Sequence, residues 1–193
     1  DGSIKLSNGE KISCGYFINT AGVYADKIAH AFDVGYDYTM LPFRGLYWEL
    51  AADSGIHLNH LVYPVPDLRF PFLGVHTTTT IEGKIYLGPT ASPGFGREHY
   101  RGFAGVNLYD SATNLFHSGI QFFSNKNGFR NLAFQEIKRL TKKGFVSEAQ
   151  KILPRLNQSM LKQTKKAGVR AQIFDKAKGQ LVTDFLALKG SKS

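Results

Sequence analysis

Four small or polar residues form the turn best suited, by residue type and position, to bind a ligand: Asn19, Thr20, Ala21 and Gly22. Apolar residues alternate before it, at Ile12, Cys14, Tyr16 and Ile18, and recur at helical spacing after it, at Ala25, Ile28, Ala29 and Phe32. This change of period predicts a buried strand that leads through the turn into a helix. Free N–H groups at a helix start attract phosphate or another anion. The segment therefore indicates a nucleotide site, with a purely structural turn as the alternative.

One histidine, His76, has surroundings that suit proton transfer. It ends the apolar run Phe72-Leu-Gly-Val and begins a hydroxyl-rich run, where a partly buried titrating side chain is expected. A histidine with a pKa near neutrality accepts a proton readily, although a structural histidine fits the same pattern. The other five are His30, His57, His60, His99 and His117. They form no His-x-x-x-His or His-Cys cluster, so the sequence predicts no metal site.

The composition is that of a globular chain with one sizeable core. Of its 193 residues, 42% are hydrophobic and 13% are aromatic. No apolar run approaches the roughly 20 residues that span a bilayer, and the first residues do not resemble a signal peptide. The single cysteine, Cys14, allows no internal disulfide and is expected to serve packing. It suits a reducing compartment, and we expect a cytoplasmic location.

The net charge of +9 suggests two further classes of binding partner, nucleic acid and an anionic membrane surface. Much of the excess lies in residues 138–143 and at Lys162, Lys165 and Lys166. These basic residues are not interleaved with aromatic residues as base stacking requires. We therefore interpret them as a solvated basic face. Attraction of an anionic substrate and peripheral contact with acidic lipid, such as the inner membrane, stay open as alternatives, and nucleic acid ranks last.

The secondary-structure elements that must position these residues are predicted mainly as strands in the first half of the chain, as helices from residue 108 onward, and as strands again near the end. The predicted strands are a hairpin around Asn8-Gly9, a strand over 43–50, a hairpin over 73–88 around Glu82-Gly83, and a pair over 168–174 and 181–188. The predicted helices carry apolar stripes over 108–120, 132–140 and 146–156. This order predicts an α+β fold in which helices cover a mixed sheet.

Five ordered segments carry a family resemblance. Ile18-Asn-Thr-Ala-Gly-Val-Tyr-Ala-Asp26 resembles the second flavin-side motif of FAD-dependent oxidoreductases of the D-amino-acid oxidase/glycerol-3-phosphate dehydrogenase superfamily. The others resemble segments of its L-2-hydroxyglutarate dehydrogenase/oxidase branch: Pro42-Phe-Arg-Gly-Leu-Tyr-Trp-Glu49, the run from Val62 to His76, Gly88-Pro-Thr-Ala91 and Gly168-Val-Arg-Ala-Gln172. Thr90 departs from the branch's more common Gly-Pro-Asn-Ala pattern, which leaves the substrate open.

The resemblance divides the chain into three regions. Residues 1–41 correspond to the trailing part of the FAD-binding domain, 42–185 to the substrate-binding domain, and 186–193 to a tail. Members of the family open with a Gly-x-Gly-x-x-Gly turn that holds the FAD pyrophosphate. The nearest approach here, Gly94-Phe-Gly-Arg-Glu-His99, lacks the third glycine, and we interpret it as a loop. We therefore expect an internal fragment that is inactive by itself.

The resemblance also implies roles for individual residues. Arg170 matches an arginine that holds the substrate carboxylate in related amino-acid oxidases, although Ala171 replaces their usual proline. A planar guanidinium suits that role because it binds a carboxylate with two parallel hydrogen bonds, while a surface arginine is the alternative. His76 would accept the proton of the substrate hydroxyl. Tyr63 and Tyr86 are further candidate hydroxyl donors, with core packing as the alternative.

A second group of residues is implied to lie near the cofactor. The turn over 19–22 would contact FAD, and Gly45 would allow close backbone contact with the flavin ring. Arg44 would bind a second substrate carboxylate or stabilise negative charge on the flavin. Alternatively, Arg44 pairs with Glu49 or Asp26 for structural reasons.

The function implied by the resemblance is oxidation of L-2-hydroxyglutarate, or a similar 2-hydroxy acid, to the 2-oxo acid. FAD would take the hydride, and its electrons would pass to a quinone, another carrier or oxygen. Two other classes stay open. One is an FAD-dependent oxidase of amines or amino acids on the same scaffold, and the other is a non-enzymatic basic binding module.

Overall fold

The computed structural model describes residues 2–190; Asp1 and residues 191–193, the end of the predicted tail, lie outside the described residues. The strands are β1 (Ser3–Lys5), β2 (Lys11–Ser13), β3 (Tyr38–Leu50), β4 (His76–Thr79), β5 (Ile85–Gly88), β6 (Ser92–Pro93), β7 (Leu161–Asp175) and β8 (Gln180–Leu181). The helices are α1 (Ala25–Ala31), α2 (Leu108–Ser124), α3 (Phe129–Arg139) and α4 (Lys142–Ala149). The predicted α+β class is confirmed.

The main sheet is built around two long strands, β3 and β7. Its order is β4-β5-β3-β7-β8, with β6 also paired to β3, and within residues 2–190 the strands of the predicted mixed sheet pair only in antiparallel fashion. The register of β3 and β7 runs from Tyr38 opposite Asp175 to Leu50 opposite Leu161, with one irregularity after Leu46. Because β3 crosses residue 42, the predicted domain boundary there falls inside a strand, and that boundary stays a prediction.

Helices cover this sheet and bury two apolar clusters. The first joins one end of β3 to α4, where Phe145 is fully buried and packs beside Trp48. The second joins β3 and β7 to α3, around Leu41, Phe43 and Phe174. Asn107 caps the start of helix α2, because its side chain accepts a hydrogen bond from the backbone N–H of Asp110. The two clusters fix both ends of the β3–β7 pair.

Three sequence predictions need correction. The strand expected up to Ile18 ends at Ser13, and Tyr16 and Ile18 are 88% and 81% exposed. Alternation predicts an extended chain but not its burial, which needs a covering neighbour, and within residues 2–190 β2 pairs only with β1. The strand expected over 181–188 pairs only at Gln180–Leu181.

The third correction concerns the helix predicted over 146–156, which ends at Ala149. Leu153 and Leu156 are nevertheless buried in the first cluster, from a turn rather than a helix. Pro154 prevents the helix from continuing to residue 156, because proline lacks an N–H and disfavours the helical conformation in the residue before it. The apolar spacing therefore predicted correctly that Leu153 and Leu156 belong to the core, but it predicted wrongly that they are helical.

Candidate active site

A cleft of about 150 Å³ opens on one face of the β3–β7 pair. Phe43 lies directly opposite Arg170, and Gly45 lies directly opposite Gly168. The residues around it are Phe43, Gly45, Tyr47, Phe72, Pro89, Thr90, Ala91, Gly168, Val169 and Arg170. A Cβ atom added at Gly168 would meet no heavy atom within 4 Å. The floor of the cleft is therefore open where a side chain would otherwise stand.

Arg170 stands at one end of the cleft with much of its hydrogen-bonding capacity free. Its Nη1 donates to the carbonyl oxygen of Pro71 at 2.7 Å, and its guanidinium lies 5.4 Å from the centroid of the Phe72 ring. No carboxylate of residues 2–190 forms an ion pair with it. Burial lowers the pKa of Arg170 below its usual range, yet a guanidinium stays charged at neutral pH. A half-buried cation with unused donors suits a carboxylate ligand.

His76 is held with one ring nitrogen available for proton transfer. Its Nδ1 lies 3.0 Å from the carbonyl oxygen of Gly74, and because a carbonyl only accepts, Nδ1 carries the hydrogen and Nε2 the lone pair. The ring stacks on Tyr63 with 4.4 Å between centroids. Burial lowers the pKa of His76 from 6.5, and the charge of Arg170 lowers it further, against the opposing effect of the Gly74 bond. The imidazole is therefore neutral at neutral pH and can act as a base.

Tyr47 is the cleft residue that sequence reasoning missed. Burial raises the pKa of its phenol, with Arg170 opposing that rise, so the phenol keeps its proton and can donate it in a hydrogen bond. The signal was present in the sequence, because Tyr47 follows Gly45 by two residues on a strand and therefore shares its face. Tyr63, which was singled out, contacts His76 instead of lining the cleft.

The structure does not bring Arg44 together with Arg170. Arg44 lies opposite Val169, one residue away from the Phe43–Arg170 pair, so its side chain points to the other face of the sheet. There its Nη1 lies 3.2 Å from His99 Nε2. Neither Glu49 nor Asp26 forms an ion pair with it within residues 2–190.

Gly45 is required because Pro89 and Thr90 approach its backbone closely. A Cβ at this position would stand 2.6 Å from the Cβ of Pro89 and 3.2 Å from the carbonyl oxygen of Thr90. Contact with Pro89, which lines the cleft beside it, therefore accounts for the glycine. The expected contact with a flavin stays a prediction.

The turn over 19–22 has an open outer surface. Asn19 stabilises it, accepting from the backbone N–H of Ala21 at 3.2 Å and donating to the carbonyl oxygen of Ala25 at 2.7 Å. Gly22 has φ of +56°, and a Cβ there would meet no heavy atom within 4 Å. Thr20, Ala21 and Gly22 are exposed. An exposed backbone with nothing packed on its glycine fits a bulky, phosphate-bearing group such as FAD.

A second charged cluster, which sequence reasoning also missed, joins α1 to the start of α2. Arg97 is 6% exposed and donates to both carboxylate oxygens of Asp26, at 2.5 and 3.0 Å, and to Asp110 at 3.2 Å. Asp26 also accepts from the backbone N–H of Met40 at 2.8 Å. Burial alone would raise the pKa of Asp26, but the bonds from Arg97 and Met40 outweigh it and lower that pKa.

Neither a metal-binding cluster nor a membrane-spanning helix is found in the described residues. Among residues 2–190, no group of three or more His, Cys, Asp and Glu side chains converges as a metal site would require. No helix in the same range is both long and apolar enough to cross a membrane.

Comparison with known proteins identifies a family. The model of the DAO family, described as FAD dependent oxidoreductase, matches residues 2–178. The chain is 38% identical over 192 residues to the mitochondrial L-2-hydroxyglutarate dehydrogenase of Mus musculus, covering 95% of this chain and 39% of that protein. It is 36% identical over 183 residues to the L-2-hydroxyglutarate dehydrogenase of Escherichia coli K12, covering 95% and 42%.

The chain thus spans about two fifths of the length of these curated relatives. A solved structure, dithionite-reduced L-α-glycerophosphate oxidase from Mycoplasma pneumoniae with FAD bound, gives a TM-score of 0.47 at 20% identity, covering 83% of this chain and 32% of that one.

Proposed function

The chain belongs to the DAO family of FAD-dependent oxidoreductases, and from that premise we propose that its cleft binds a 2-hydroxy acid for oxidation to the 2-oxo acid. L-2-Hydroxyglutarate is the proposed substrate, because the relatives quoted above are named for it. The observation that carries the proposal is the arrangement of Arg170 and His76. Arg170 is a half-buried cation that lines the cleft and has no carboxylate partner in the described chain. His76 is not among the cleft-lining residues, but it is a neutral imidazole whose pKa the charge of Arg170 lowers.

Arg170 would hold the substrate's C1 carboxylate. Its donors beyond the one used by Pro71 face a cleft without competing acids, so a carboxylate entering there gains charge-assisted hydrogen bonds in partly dehydrated surroundings. Tyr47, protonated and in the same cleft, adds a neutral donor beside it. These contacts fix the position of the adjacent C2 carbon.

His76 would accept the proton of the C2 hydroxyl at Nε2. The Gly74 carbonyl keeps the hydrogen on Nδ1, and Tyr63 keeps the ring plane in place by stacking. The positive charge of Arg170 favours the neutral form of the ring before the reaction. General-base catalysis of this kind contributes about 10²- to 10⁴-fold in rate.

FAD, when bound, supplies the acceptor for the hydrogen and the two electrons that leave C2. The residues proposed to contact it are Asn19, Thr20, Ala21 and Gly22, whose open outer surface fits such a group. The electrons would then pass to a quinone, another carrier or oxygen. For location we propose the cytoplasm, with peripheral contact at the inner membrane as the alternative.

The test is anaerobic addition of L-2-hydroxyglutarate to the natural protein that carries this chain, purified at full length, while the flavin absorbance is recorded. Glycine, D-alanine and glycerol 3-phosphate serve as comparison substrates. Bleaching by the hydroxy acid alone supports the proposal. Bleaching only by an amino acid or by glycerol 3-phosphate keeps the family and overturns the substrate.

A further inference from the structure

One lysine beside the cleft residue Tyr47 contacts aromatic rings rather than oxygen atoms. Lys166 Nζ lies 4.4 Å from the centroid of the Tyr86 ring and 5.1 Å from that of the Tyr47 ring. No carboxylate within residues 2–190 forms an ion pair with this ammonium. By contrast, Lys142 donates to the carbonyl oxygen of Leu161, and Lys151 pairs with Glu148. Rings attract the charge and leave the N–H donors of Lys166 unused.

An irregularity in the sheet directs Lys166 towards the cleft. Leu46 pairs with Ala167 and Trp48 pairs with Gln163, so Tyr47 on β3 lies opposite the three residues 164–166 of β7. The backbone N–H of Lys166 donates to Thr164 Oγ1 at 3.1 Å, which fixes the extra residues locally. Such an irregularity redirects a side chain, and here the ammonium stands over Tyr47, which lines the cleft.

Lys166 and Arg170 thus stand on either side of Gly168 along β7, with Arg170 lining the cleft and Lys166 over the cleft residue Tyr47. Four residues separate them on β7, which is at most about 13 Å between Cα atoms at the rise of a strand. Between them, Gly168 places no side chain over the floor. Tyr47 lies close to both cations. Its ring contacts Lys166, and the charge of Arg170 lowers the pKa of its phenol against the effect of burial.

We propose that Lys166 binds the second carboxylate of a dicarboxylic 2-hydroxy acid whose first carboxylate is held by Arg170. The inference rests on the proposed function and adds the feature that selects a dianion over a monoanion. A 2-hydroxy acid with a methyl end would bind to Arg170 in the same way but give Lys166 no partner. Selectivity then comes from the missing ionic contact rather than from a change at the reacting carbon.

The test compares two substrates of equal chain length, L-2-hydroxyglutarate and L-2-hydroxyvalerate, in the full-length protein. Lys166→Gln removes the charge and Lys166→Arg retains it. The matched control is Lys165→Gln, because Lys165 is an exposed neighbour on the same strand without a ring contact or ion pair in the described chain. Both positions are exposed, so all three variants are expected to fold.

Lys166→Gln is expected to raise KM for L-2-hydroxyglutarate by about tenfold or more, since one charge-assisted contact is lost, with little change in kcat. The same variant should leave L-2-hydroxyvalerate unaffected, and Lys166→Arg should restore much of the loss. Equal effects of Lys166→Gln on both substrates, or none on either, would overturn the inference alone. A wild-type protein that oxidises neither hydroxy acid would overturn the proposed function, and the inference with it.

Discussion

Two arginines of this chain, the buried Arg97 and the half-buried Arg170, stand in opposite situations. Arg97 donates to Asp26, to Asp110 and to the carbonyl oxygen of Val23, so its charge is neutralised inside the protein. Arg170 donates to one carbonyl, that of Pro71, and faces a cleft. Burial lowers the pKa of both, but at Arg97 the carboxylates outweigh that effect and raise it, while at Arg170 the fall remains.

The difference separates a structural charge from one available to a ligand. A buried charge is costly unless it is paired, and the pairing of Arg97 holds α1, β3 and the start of α2 together. The incomplete pairing of Arg170 leaves a cost that a bound carboxylate would relieve. The same substitution at the two positions should therefore affect different properties, stability at Arg97 and catalysis at Arg170.

The largest effect is expected from Arg97→Met, which should lower the free energy of unfolding. It leaves Asp26 and Asp110 buried without their cation, which costs about 3–5 kcal/mol of unfolding free energy. Denaturant unfolding of the full-length protein measures this as a lower midpoint with an unchanged m-value. The kcat/KM of the fraction that remains folded should match wild type. An unchanged midpoint would show that the cluster does not stabilise the fold.

Arg170→Met should give the opposite pattern. We expect kcat/KM for the hydroxy acid to fall by about 10²-fold or more, equivalent to roughly 3 kcal/mol, because charge-assisted bonds to the carboxylate are lost. The unfolding midpoint should change little, since no ion pair within residues 2–190 is broken. Steady-state kinetics and denaturant unfolding of one preparation measure both. A large loss of stability with normal kinetics would reverse the assignment of the two arginines.

A smaller effect is expected from filling the floor of the cleft. Gly168→Ala adds a methyl group where no protein atom lies within 4 Å, so the fold should tolerate it while the substrate is displaced. We expect about a tenfold loss of kcat/KM, or roughly 1.4 kcal/mol. The control is Gly15→Ala, at a site equally free of neighbours but outside the cleft. Equal activities for both variants would show that substrate does not lie over Gly168.

The smallest effect concerns the pH dependence of kcat/KM. His76 must be neutral to accept a proton, so activity should be constant above its pKa and fall as pH drops through it. Because burial and Arg170 lower this pKa, the midpoint should lie below 6.5. In Arg170→Met the midpoint should move up, since one of the lowering influences is gone. An identical midpoint in both proteins would mean that His76 is not the titrating base.

The sequence predicted local features of the site better than long-range ones. Alternation on β3 and β7 is local, and the structure places Arg170 in the cleft between these strands, whereas His76 lies on β4 and is not among the cleft-lining residues. The partner of Arg97 could not be found in this way, because Asp26 lies 71 residues away in sequence. Burial of Tyr16 and Ile18 was wrong for a related reason, since periodicity does not say which surface covers a strand.

The most direct test of the contrast between the two arginines is a crystal structure of the full-length protein with FAD and 2-oxoglutarate, the product of the proposed reaction. The account predicts a carboxylate within hydrogen-bonding distance of Arg170 and the 2-oxo oxygen facing His76 Nε2. It also predicts that Arg97 keeps its bonds to Asp26 and Asp110. A product bound away from Arg170, with that side chain still donating only to Pro71, would contradict it.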